Sequence, residues 1–212
     1  PCLGLIQQVL SRHLGEDDSL IGRLRHGVLS RSRVMLWEEA PELPLVEQSP
    51  RLHPDLVACD LHPEGLWPDT HLLPGRSLAN SLQQAVHLQV DALRGRPRAS
   101  LVLRCIDREE GKTVAAAIAH GLMRKPLWLG GKRIEEALGV WCELSGHLPV
   151  LPVEAAPGET VSLPTFTGYK GPLLVIVGPD GRFEREDASV ESWSVPVTPG
   201  NERRELWRDQ LP

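Results

Sequence analysis

The chain has 212 residues, 41% of them apolar and 24% charged, with a formal net charge of −5. That length accommodates one full α/β core plus a smaller module, and that composition is of an ordinary globular protein, which sets aside wholesale disorder. No apolar run approaches the roughly 20 residues of a membrane helix, no basic-then-apolar leader opens the sequence, and the negative balance argues against nucleic acid as a partner, so the expectation is a cytoplasmic protein with no membrane role.

Leu3, Ile6, Leu10 and Leu14 form one helical stripe that stops near Gly15, and Asp17, Asp18 and Ser19 stand where a cap for a short second helix over residues 20–24 belongs. The arginines at 23, 25, 31 and 33 read as a solvated patch. Val28, Leu29 and the run from Val34 to Trp37 are the next apolar pieces. Seven prolines between residues 38 and 74 exclude long regular elements, leaving room for one short helix started by Pro54. Residues 1–74 are therefore an N-terminal module with a proline-rich connector, and residues 75–212 are the main domain. The four cysteines are spread singly, as packing thiols are. Cys59 with His53 and His62 is the one cluster resembling a metal site, and it lacks the second ligand pair that zinc needs.

Leu78, Leu82, Val86, Leu88, Val90 and Leu93 predict a helix that ends at Gly95, leading into a buried strand over residues 100–106. Gly111, Lys112 and Thr113 then sit between this strand and a helix-forming run that begins at Val114. In a phosphate-binding loop the lysine ammonium reaches the β- and γ-phosphates, the following hydroxyl binds magnesium, and backbone amides at the helix start, here around Val114, surround the anion. ATP with magnesium on Thr113 is the ligand set this pattern implies. Two features oppose it. The glycine expected five residues before Gly111 is Ile106, and the intervening loop, Asp107, Arg108, Glu109 and Glu110, sets three carboxylates against one guanidinium. A carboxylate about 5 Å from a phosphate charge costs on the order of 3 kcal/mol at an effective dielectric of about 20.

Pro126, Leu127, Trp128 and Leu129 form a strand at the spacing of a parallel crossover. A helix over 134–144, an apolar run over 148–153, the clearest buried strand over 172–177, a weaker last strand over 193–197 and a closing helix over 201–211 follow. This alternation predicts an α/β fold of P-loop type, a mostly parallel sheet covered by helices on both faces, with the smaller N-terminal module beside it.

From about residue 78 to the end, the order of these pieces resembles the nucleotide-binding subdomain of the AAA+ ATPases. The resemblance is carried by residues 101–119 as the phosphate-loop unit, by Lys125 to Leu129 as the next strand, by Gly171 to Gly178 as the sensor strand, and by the ending from Pro196 through Glu202, Arg203 and Arg204 to Trp207. The N-terminal module is similar to the extension that precedes the ATPase domain in bacterial relatives, including some encoded beside contractile injection particles. The resemblance implies a second nucleotide motif at residues 148–154, where the only acid is Glu154 and two prolines interrupt the run, so the strand is distorted or the motif lies elsewhere. It also implies a sensor at Asp180 and an inter-subunit arginine at Arg182 or Arg185, within a homo-oligomer or a protein assembly.

Other chemistry is poorer. No histidine pair carries metal-ligand spacing beside a glutamate, Ser145, Gly146 and His147 do not make a nucleophile elbow, and the six tryptophans are scattered as packing anchors. Three functions remain open: an AAA+-like nucleotide-binding domain with degenerate motifs acting in assembly or regulation, a working magnesium-dependent ATPase with Glu154 polarising water, and a structural adaptor that binds no nucleotide.

Overall fold

The computed structural model describes residues 5–6, 8–9, 26–37, 42–44, 47–61, 65–96, 98–130, 136–186 and 188–210. The helix expected over 3–14 falls largely outside these residues, and the cap and helix over 17–24 wholly so. The chain divides into two compact units, one of Pro1–Pro68, Ile134–Trp141 and Phe166–Tyr169, the other of Asp69–Arg133, Cys142–Thr165 and Lys170–Pro212.

In the first unit, α1 (Val28–Arg31) precedes β1 (Met35–Trp37), which pairs antiparallel with β2 (Pro50–Leu52). Helix α2 (Pro54–Leu61) opens on Pro54, a position where the missing N–H has no helical partner to lose. Trp67 stacks on His53 at 6.2 Å and meets Trp141 at 5.8 Å between ring centres, the packing role expected for tryptophan here. Arg33 pairs with Glu136 at 2.8 Å on the surface; Arg23 and Arg25 lie outside the described residues.

The second unit is an α/β layer structure. In chain order it holds β3 (His71–Leu72), α3 (Asn80–Arg94), β4 (Ser100–Arg104), α4 (Arg108–Gly121), β5 (Lys125–Trp128), the end of α5 (Leu138–Ser145), β6 (His147–Pro152), β7 (Thr160–Ser162), β8 (Leu173–Val177), β9 (Arg182–Glu184), β10 (Val190–Ser194) and α6 (Gly200–Gln210). Six strands make one sheet in the order β10-β4-β8-β6-β5-β3, parallel throughout except for β3 at the edge. Strands β7 and β9 form a separate parallel pair. All five residues of β8 are buried, so both faces of the sheet are covered. Leu82, Val86, Val90 and Leu93 of α3 and Val114, Ala115 and Ile118 of α4 pack with Leu101 and Leu103 into the main core.

The two prolines of β6 do not distort it, because each sits where a neighbour's pairing stops. In a parallel ladder a residue's N–H and C=O serve the same neighbour. Gly146 and Val150 offer their carbonyls to Lys125 and Leu129, so even-numbered residues of β6 face β5 and Pro149 faces β8. Pairing with β8 begins only at Val150, one residue later. Pro152 faces β5 but follows Val150, the last residue paired there.

Candidate functional site

The sheet order creates one natural binding crevice. From β4 the chain crosses β8 and β6 to reach β5, whereas from β8 it returns over β4 to reach β10. Neighbouring strands whose onward connections run in opposite directions leave a gap at their carboxyl ends, the usual ligand position in an open parallel sheet. A cavity of about 130 Å³ lies there. Cys105 and Ile106 from the end of β4, Glu154 from the end of β6, Gly178 from the end of β8 and Arg108 line it. Glu154, the expected catalytic acid, therefore stands at the crevice mouth, exposed.

The expected phosphate loop takes another form. The chain turns helical at Arg108, so Arg108 to Thr113 are the opening of α4 rather than a loop, and only three residues separate strand from helix. Asp107 caps the helix: its carboxylate accepts the Glu109 N–H at 3.1 Å, and its carbonyl accepts the Gly111 N–H at 3.1 Å. The first of these occupies a free helix-start amide, for which a bound anion would compete with the Asp107 carboxylate; the second is the first bond of the helix itself. Glu109 and Glu110 sit in the first turn, where their charge complements the helix dipole.

Each motif residue is engaged within the protein. Gly111 is buried against the sheet, where an added Cβ would lie 2.9 Å from both Cys105 Sγ and Ile176 Cγ2, so its smallness serves helix-on-sheet packing. The Lys112 ammonium is 2.6 Å from Glu109 Oε1 and 4.8 Å above the Trp128 ring. Arg108 covers the same ring at 5.5 Å. Thr113 Oγ1 donates to the Glu109 carbonyl at 3.0 Å, one turn back along the helix. Val114 is buried in the core. Lys112 and Thr113 do not line the crevice that holds Glu154. As arranged, these groups do not fit a nucleoside triphosphate with magnesium: the ammonium has a carboxylate, the hydroxyl has a carbonyl, and the Glu109 amide has Asp107.

The Cys105 thiol at the crevice is pushed up to about 12, by burial first and then by Glu110 and Asp107, so it is a neutral packing group rather than a nucleophile. Burial likewise raises Cys59 to about 11. His53 stacks on Trp67 and His62 lies outside the described residues. Among the described residues no three His, Cys, Asp or Glu side chains are placed to hold a metal ion.

Arg104, which ends the otherwise apolar β4, organises the turn after β8. It donates to the carbonyls of Pro179 (2.7 Å), Asp180 (3.0 Å) and Gly181 (2.8 Å) and to Ser192 Oγ (2.7 Å). Asp180, the expected sensor, thus contributes its carbonyl to a structural clamp. Arg185 turns inward, donating to Ser100 Oγ at 3.2 Å and to the Arg98 carbonyl at 3.3 Å. Arg182 is exposed on β9. The sign available in the sequence was a lone arginine closing a strand whose other members are apolar or small.

No helix among the described residues is long and apolar enough to cross a membrane. Comparison of the chain with protein families, characterised proteins and solved structures gives no match.

Proposed function

We propose that the second unit is an AAA+-like domain with degenerate nucleotide motifs that acts in assembly or regulation through protein contacts and turns over no ATP at Gly111 to Thr113. The observation that carries this reading is the engagement of Lys112, held by Glu109 and Trp128 one turn inside a helix that Asp107 already caps. Replacing that carboxylate and that ring by phosphates would break an ion pair and a cation–π contact worth together on the order of 1 kcal/mol, and would bring the phosphates against Asp107, Glu109 and Glu110. The ATPase reading keeps one observation, the placement of Glu154 at the crevice. That cavity, about 130 Å³, is below the roughly 300 Å³ at which small-molecule sites begin.

Thermal unfolding with and without magnesium-ATP tests the proposal. A ligand at 100 times its dissociation constant adds about 2.7 kcal/mol. The expected result is the same midpoint with and without nucleotide for the wild type and for Lys112→Ala. A saturable stabilisation of the wild type that Lys112→Ala removes would return the chain to the nucleotide-binding class.

A further inference from the structure

A cavity larger than the crevice lies away from it, in the trough between α3 and α4 under residues 76–78. Its volume is about 440 Å³, within the range of small-molecule sites. Val86 and Val90 of α3 and Ala117 of α4 give it an apolar floor. The two helices are close here because of Gly121, where an added Cβ would lie 2.7 Å from Val90 Cγ2.

Its rim differs from the floor in a consistent way. Arg76, Ser77, Gln83 and His87 bring a guanidinium, a hydroxyl, an amide and an imidazole to the edge of the trough, and among the described residues no acid lines it. In a chain with a net charge of −5, Arg76 forms no ion pair with any described residue, unlike Arg33, Arg94, Arg96 and Arg124, each of which has a carboxylate partner. We propose that the trough binds an amphipathic organic anion, a carboxylate or phosphate monoester whose head sits on Arg76 and His87 and whose hydrocarbon body lies along Val86, Val90 and Ala117. A guanidinium fork matches either head group, and the apolar floor beside it, most accessible at half-buried Ala117, accepts an alkyl or aryl tail. The site is further along α4 than Lys112 and does not depend on the reading of that residue.

Isothermal titration of the full chain with octanoate, octyl phosphate and octan-1-ol tests this. Saturable binding of either anion is expected, with the alcohol at least about tenfold weaker, since it lacks the charge-assisted hydrogen bonds. Whether octanoate or octyl phosphate binds more tightly distinguishes the two head groups, and either outcome supports the site. Arg76→Gln, a change of an exposed side chain, should weaken the anion at least about tenfold without altering the melting curve. Ala117→Leu should fill the floor and abolish binding, and if that variant fails to fold the Arg76→Gln comparison decides. Failure of both anions to bind, equal affinity for the alcohol, or unchanged affinity in Arg76→Gln overturns the proposal.

Discussion

The two ends of α4 handle charge in opposite ways. At its N-terminus the charged groups around the motif lysine are matched at short range: Asp107 takes an amide, Glu109 takes Lys112, and Trp128 lies beneath both Arg108 and Lys112. Towards its C-terminus the residues turn small, the neighbouring helix comes close, and Arg76 and His87 stand over a trough with no acid along it among the described residues. A residue type known for binding phosphate is thus satisfied where the motif occurs, and a cation with no ion pair among the described residues stands where no motif draws attention. Availability of a charge follows from its partners rather than from its identity.

The sharpest test of the satisfied end is Gly111→Val. A branched side chain placed against Cys105 and Ile176 should cost about 3 kcal/mol in chemical denaturation, whatever ligand is present. Tolerance of valine would mean that α4 can lift from the sheet, and the packing account of this glycine would fall.

A pH effect belongs to the opposite end of the sheet, where β6 starts. His147 is buried and held down to about 4 from 6.5, by burial first and by Lys125 second. The unfolded chain takes up this proton below about pH 6.5 while the folded one resists until about pH 4, so stability is full above 6.5 and falls as the pH drops through that window, by at most about 3 kcal/mol. His147→Gln should flatten that part of the denaturation profile; an unchanged slope would mean that the imidazole is already charged in the fold.

Smaller effects discriminate roles within the first turn. Asp107→Ala should cost about 1 kcal/mol by removing the cap. Glu109→Gly with Glu110→Gly should cost about 2 kcal/mol, because both residues are helical and neither loosens a loop. Lys112→Ala should cost less than about 1 kcal/mol, as the lost contacts are partly offset by alanine's helix propensity. Urea midpoints for the three variants, measured without nucleotide, should fall in the order double glycine, Asp107, Lys112, and a Lys112 effect exceeding that of Asp107 would assign the lysine a larger structural part than its contacts account for.

Much of the fold was legible because its central strands are apolar on both faces. The runs at 100–106, 126–129 and 172–177 all entered one mostly parallel sheet, in which β6 separates β5 from β8. Helix α3 was readable from its stripe, and α2 from Pro54. The last strand is displaced, Val190–Ser194 instead of 193–197, because a half-exposed edge strand containing Glu191, Ser192 and Ser194 carries little apolar signal and takes its register from β4. Short strands such as β3, β7 and β9 were not visible, since two or three exposed residues show no period. At the candidate site two patterns competed for the same residues. Glycine, lysine and threonine suggested a loop followed by a helix, whereas aspartate followed two residues later by paired glutamates is the signature of a helix already begun, and local capping decided between them.

The prolines of β6 make the centre of the sheet intolerant of sliding. Advancing the strand by two residues in one direction would bring Pro149 into the ladder with β8, and a shift of two in the other would bring Pro152 into the ladder with β5. Either slip removes a donor, and a slip of one residue exchanges the two faces of the strand. Strand β6 is therefore indexed from both ends, and a newly folding chain has a single alignment in which its two neighbouring strands, β5 and β8, can pair with it without an unanswered carbonyl.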